Sequence, residues 1–244
     1  MTYCVGMKLE SGLVFMSDTR TNSGVDNIST FRKMHSFEKP GERYITIMTA
    51  GNLATTQSVI SMLAERTKAP EERNPSILAA ASMFQVAQII GDLLRETIRT
   101  REQTGLNAET TFNATLIVGG QIKGMEPRLF MIYPEGNFIE ASDDTPFFQI
   151  GETKYGRPIL VRGFQSDMSF ESAVKLLMVS FDSTMAANLS VALPLDMLLL
   201  PRDQFEPLQK RRIAEDDPYY RSVSDKWSDA LRSAFHSLPD YTIE

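Results

Sequence analysis

The chain has 244 residues, of which 42% are hydrophobic and 23% charged, and a formal net charge of −6. That length buries a core without a metal or disulfide staple, and one cysteine, Cys4, excludes an internal disulfide and a cysteine-based zinc site. The negative charge argues against nucleic acid and anionic membranes as partners, and two histidines, His35 and His236, leave little room for a His-rich metal centre or a Ser-His-Asp triad; no metal or cofactor is expected.

In chain order, residues 3–9 read as a strand, 10–12 as a turn and 13–20 as a second strand, together a hairpin. A polar stretch leads to a third extended segment at 31–37, a turn at 39–43 and a β-branched strand at 44–50. Helical periodicity then takes over at 53–68, with Val59, Ile60, Met62 and Leu63 on one stripe, and after a Pro-bounded loop at 70–75 it returns at 77–101. Strands are expected at 112–118, 128–133, 138–141 and 147–150. Next come a segment at 154–164, a helix opened by Ser169 with Glu171 in its first turn and running to about 187, and a closing strand at 191–200. The tail is polar until a last helix at 223–238, with Trp227, Leu231, Phe235 and Leu238 on one face that is either core or a subunit interface.

Hairpin-joined strands make antiparallel sheets, and amphipathic helices must bury one face against them. The economical packing is α+β, two sheets face to face with helices outside. No internal repeat or linker divides the chain, so residues 1–244 are expected to form a single domain, with 201–244 a C-terminal extension ending in a helix. No signal peptide is visible, and no apolar run nears the roughly 20 residues that span a bilayer. A cytoplasmic protein is therefore expected, and the sequons at Asn27, Asn113 and Asn188 read as chance matches.

The N-terminus carries the chemistry. If Met1 is removed, Thr2 has a hydroxyl and a free α-amine on one carbon frame, a nucleophile with its own base. The first hairpin returns Asp18 toward Thr2, and Lys33 can join them at the same edge. A cation there lowers the pKa of the hydroxyl and amine, while Asp18 holds it charged. Gly51, between a strand and a helix, can offer a backbone N–H to an oxyanion. The remaining features read as structural: Cys4 as a buried thiol, Gly105 and Gly119-Gly120 as turns, Glu215-Asp216-Asp217 as a solvated loop, and His236 as a surface residue. His35 faces either a pocket or solvent.

Thr2–Gly6, Ser17-Asp18-Thr19-Arg20, Lys33 and Thr49-Ala50-Gly51 together resemble a proteasome β-type subunit, one of the N-terminal-nucleophile hydrolases. The segments 17–24, 29–35 and 182–200 resemble its bacterial Anbu, or ancestral β-subunit, branch. The resemblance implies a four-layer αββα sandwich and a threonine peptidase or amidase within a homo-oligomer, either a ring or an open spiral. It implies Thr2 as nucleophile, Asp18 and Lys33 as its charge partners, Gly51 as oxyanion donor, and Asp182 as the aspartate near the threonine amine. Thr21 and Thr49 would bind substrate, an unfolded chain or a peptide, and separate peptide-processing enzymes are possible partners.

Three departures stand beside it. The interval from Thr2 to Lys33 is shorter by one residue than in most proteasomal β subunits, leaving Arg32 as a competitor. Glu152-Thr153 follows Gly151 where proteasomes have a Ser-Gly pair, and Met185 stands for the family's second serine. Two other readings therefore stay open, a catalytically silent assembly subunit and a specialised amidase acting on small peptides.

Overall fold

The computed structural model describes residues 2–22, 28–68, 75–104 and 111–243. Met1, Asn27, Gly105 and the loop 70–74, on which expectations above rest, lie outside the described residues. The first hairpin, β1 (Tyr3–Leu9) and β2 (Gly12–Asp18), lies at the heart of a five-stranded sheet. It is flanked by β10 (Phe147–Gly151) on one side and by β11 (Leu195–Pro201) and β12 (Gln209–Ile213) on the other. A second five-stranded sheet runs β5 (Met34–Lys39), β6 (Arg43–Gly51), β7 (Ala114–Ile122), β8 (Arg128–Ile132) and β9 (Phe138–Glu140). A short ribbon, β3 (Arg20–Asn22) with β4 (Ile28–Thr30), connects them. Every pairing among these strands is antiparallel.

Period-two alternation divides the side chains among three apolar layers. In β2, Leu13 and Phe15 face the layer between the sheets, and Val14 and Met16 face the outer layer under the helices. In β6, Tyr44, Met48 and Ala50 face inward while Ile45 and Ile47 face outward. The outer cluster on the second sheet is closed by α1 (Leu53–Lys68) and α2 (Met83–Thr104). The outer cluster on the first is closed by α3 (Arg157–Gly163), α4 (Phe170–Ala187) and α5 (Pro218–His236). The result is the α+β sandwich, helices–sheet–sheet–helices, that the sequence order implies.

The local differences have local causes. Gly119 and Gly120 are not a turn but the middle of β7. A Cβ on Gly119 would stand 2.7 Å from the Phe15 ring, and one on Gly120 would stand 2.3 Å from the Tyr44 carbonyl. The missing side chain of Gly119 lets the two sheets approach, and that of Gly120 makes room for the neighbouring strand β6. α2 begins at Met83 rather than at 77, because the Ser82 hydroxyl accepts from the Gln85 N–H and the Gln85 carboxamide accepts from the Ala81 N–H, a reciprocal cap. β12 was not expected, since Gln209-Lys210-Arg211-Arg212 shows no apolar alternation. It is an edge strand whose charged side chains discourage further pairing. Asp217 is not a solvated loop residue but the buried N-cap of α5, accepting from the Tyr220 N–H at 2.9 Å.

His35, on β5, is largely buried, and burial together with the nearby Arg32 charge pulls its pKa from 6.5 down to about 4. Between those pH values the unfolded chain binds a proton that the folded chain refuses, so stability falls as the pH drops. A gap of that size is worth about 3 kcal/mol. His35→Gln is expected to lose that part of the acid sensitivity, read as a flatter dependence of unfolding free energy on pH across this window. An unchanged slope would place the acid response elsewhere.

Candidate active site

Thr2 sits at the head of β1, and the opposite end of β10 fixes its backbone. Its carbonyl accepts from the Glu152 N–H at 2.6 Å. Gly151, facing it, has φ +84°, and a Cβ there would lie 1.9 Å from the Thr2 carbonyl oxygen. Only glycine satisfies both conditions.

The hairpin register pairs Cys4 with Ser17, which brings Asp18 alongside the start of β1. Its carboxylate is fully buried and accepts from the Tyr3 N–H at 2.9 Å. Lys33 donates to both Asp18 oxygens, at 2.8 and 2.9 Å, and to the Arg20 carbonyl at 2.5 Å. Burial pushes the Asp18 carboxyl above the ordinary range, and the Lys33 charge and its hydrogen bonds pull against that. The segment carrying Lys33 is pinned at both ends: the Phe31 N–H donates to the Thr19 carbonyl, and the Thr49 N–H donates to the Lys33 carbonyl. Lys33, not Arg32, therefore meets Asp18; Arg32 lines a separate cavity.

Thr2, Lys33 and Gly51 line one cavity of about 360 Å³, together with Thr21 and Thr49. Gly151 closes one side of it, and Leu53 and Thr56, at the start of α1, close another. Among the described residues Lys33 is the one charged group in that lining, so a cation faces a hydroxyl and uncharged walls. Such an arrangement can lower the pKa of a hydroxyl or amine and stabilise developing negative charge. A larger groove of about 670 Å³ lies between α3, α4 and α5, but it contains none of these residues.

Asp182 is placed elsewhere. It lies on α4, and its Oδ1 accepts from the Tyr220 hydroxyl at 3.0 Å and the Ser224 hydroxyl at 2.6 Å, tying α4 to α5. Burial and the Asp182 carboxylate together push the Tyr220 hydroxyl's pKa up. Asp182 is absent from the lining of the Thr2 cavity. Met185 packs against the apolar layer beneath the helices. The α4 residue that reaches the neighbourhood of Thr2 is Asn188, the C-cap, whose Nδ2 donates to Glu152 Oε2 at 2.9 Å. It lies six residues, or roughly 9 Å of helix rise, beyond Asp182. Its only mark in the sequence was a sequon.

Cys4 is fully buried, its thiol directed at the Thr49 carbonyl at 3.8 Å, and burial pushes its pKa up, away from a reactive thiolate. Among the described residues there is no cluster of three or more His, Cys, Asp or Glu that could hold a metal ion, and no helix long and apolar enough to cross a membrane.

A family model described as proteasome subunit matches residues 2–191. The proteasome subunit beta of Methanopyrus kandleri is 23% identical over 203 residues, 83% of this chain and 88% of that protein. Among solved structures, the ancestral beta-subunit Anbu of Yersinia bercovieri is 48% identical, with each chain covered in full and a TM-score of 0.92. The helical assembly of the Anbu complex from Pseudomonas aeruginosa is 45% identical with a TM-score of 0.92, covering 99% of this chain and 98% of that one.

Proposed function

Since this chain belongs to the proteasome subunit family, we propose that it is an N-terminal threonine hydrolase, cleaving peptide or amide bonds through Thr2 once Met1 has been removed. The observation that carries this reading is the buried Lys33–Asp18 ion pair, whose lysine lines the cavity shared with Thr2 and Gly51. The Thr2 hydroxyl attacks the substrate carbonyl and passes its proton to the α-amine. The oxyanion that forms is stabilised by the Gly51 N–H and the Lys33 charge. The departing amine takes the proton from the α-ammonium, leaving an acyl ester on Thr2. A water, deprotonated by the α-amine, then splits the ester and releases the acid.

Asp18 acts through Lys33 by keeping it charged and oriented, and Thr21 and Thr49 hold the substrate. Glu152 and Asn188 take the flank of Thr2 for which Asp182 had been expected. Residues 2–244 act as one unit in which β12 and α5 extend the sandwich. In the cytoplasm, copies of the chain assemble into an open spiral; a helical assembly is described for the relative from Pseudomonas aeruginosa.

Mass spectrometry with a peptide epoxyketone tests the reading, because that reagent closes its ring only on a hydroxyl and a free amine of the same terminal residue. The expected result is a chain beginning at Thr2 that gains one reagent mass, mapped to its first residue. A chain beginning at Thr2 that gains none, or gains it elsewhere, overturns the proposal. A chain that keeps Met1 makes it a silent assembly subunit.

A further inference from the structure

We propose that the wedge where the open edges of the two sheets meet binds a compact dianion of the phosphate or dicarboxylate class, and that its occupancy is felt at Lys33 through the adjoining Arg32. The wedge encloses about 290 Å³ between the start of β5 and the strands β11 and β12, room for an ion with several of its waters at roughly 30 Å³ each.

The charges within it do not balance. Along β12, Arg211 shares a face with the buried Ile213 and turns to the helical layer, where it pairs with Asp217. Lys210 and Arg212 turn the other way, toward β5. Arg212 is already bidentate to Asp196, at 2.7 and 2.9 Å. Lys210 reaches the Ser36 hydroxyl at 3.3 Å, and among the described residues neither Lys210 nor the Arg32 guanidinium forms an ion pair with a carboxylate, Asp196 being held by Arg212 and Asp217 by Arg211. The wedge therefore presents two uncompensated cations in a chain whose net charge is −6.

Burial and the Arg32 charge hold the neighbouring His35 neutral, with Lys210 adding to this and Asp196 opposing it. A cleft lined by one sign of charge concentrates counter-ions, and a guanidinium facing an ammonium is suited to a two-pronged oxyanion.

The coupling follows from chain geometry. Residues 31–33 lie between strands, and successive side chains point apart, Arg32 into the wedge and Lys33 into the Thr2 cavity. An anion gripping Arg32 restrains the backbone that carries Lys33. This second half rests on the reading of Lys33 given above; the binding site itself does not.

Calorimetry on the full chain tests the site, titrating inorganic phosphate and, separately, malonate against chloride at equal ionic strength and neutral pH. At least one of the two dianions is expected to bind once per chain with chloride silent, and which one binds distinguishes the phosphate from the dicarboxylate class. Arg32→Gln and Lys210→Gln should each weaken that binding at least about tenfold, the scale of one lost charged hydrogen bond. Heats no larger than those of chloride for both dianions, or unchanged binding in both variants, would overturn the site. Epoxyketone capture at saturating dianion should change at least about twofold in the wild type and not in Lys210→Gln. An unchanged rate with binding intact removes the coupling. Absence of capture without any anion counts against the hydrolase reading instead, while calorimetry still decides the site.

Discussion

Lys33→Met is expected to slow epoxyketone capture by about a hundredfold to a thousandfold, the scale of losing one electrostatic stabiliser in an enclosed site, and to cost the fold about 3–5 kcal/mol. Both effects come from one ammonium group. Lys33 makes three hydrogen bonds, two of them to a carboxylate with no exposure to water. Without the lysine, Asp18 keeps its burial and the Tyr3 N–H but loses its counter-charge. Burial alone holds its folded pKa above the unfolded value.

The sign of the pH effect follows. A carboxyl raised in the folded state contributes stability at low pH and loses it as pH rises through the folded value. The deficit of Lys33→Met should therefore grow above about pH 4 and shrink in acid. The double variant Asp18→Asn, Lys33→Met should recover most of the stability, since a neutral amide oxygen can still accept from Tyr3, and none of the reactivity. Urea unfolding of the single and double variants decides the first half. A single variant as stable as the wild type would mean that the pair contributes nothing to folding, and capture within about tenfold of wild type would remove Lys33 from the chemistry.

Gly151→Ala is expected to cost at least about 2 kcal/mol and to lower capture at Thr2 about a hundredfold. A left-handed backbone costs an alanine roughly 1–2 kcal/mol by itself. Here the added carbon would also lie 1.9 Å from the Thr2 carbonyl oxygen and 2.6 Å from its carbon. Those are backbone atoms, so β1 and β10 must part at the place where Glu152 holds Thr2. Misplacing a reacting group by about 1 Å is enough for such a rate loss. Gly124→Ala supplies the comparison, because its φ is +79° but nothing lies within 4 Å of the added carbon. It should show the conformational cost alone, with capture intact. Equal behaviour of the two variants would mean that the close approach to Thr2 has no consequence.

What could be read from the chain alone was what is settled within a few residues. Two strand-like apolar runs, 3–9 and 13–20, joined by the turn 10–12 mark a hairpin, and a hairpin with that turn returns Asp18 to the head of β1 whatever the rest of the molecule does. The helix Leu53–Lys68 and the Ser169 cap appear where periodicity and capping chemistry put them. Lys33 was legible as a candidate, but its choice over Arg32 was not, because it depends on how residues 31–33 are pinned between Thr19 and Thr49.

Other features depend on atoms distant in sequence. β12 exists because β11 offers it an edge, not because Gln209-Lys210-Arg211-Arg212 favours extension. Gly119 and Gly120 lie inside a strand because Phe15 of the other sheet and Tyr44 of the next strand need the space. Asp182 and Asn188 could not be told apart from sequence, since a difference of under two helical turns decides whether a side chain meets α5 or the edge of β10. Side-chain periodicity is a local property of the backbone, so the sequence determined which face each residue would show. Register between sheets and the length of a helix accumulate over the whole fold, so only the tertiary structure decided which faces would meet.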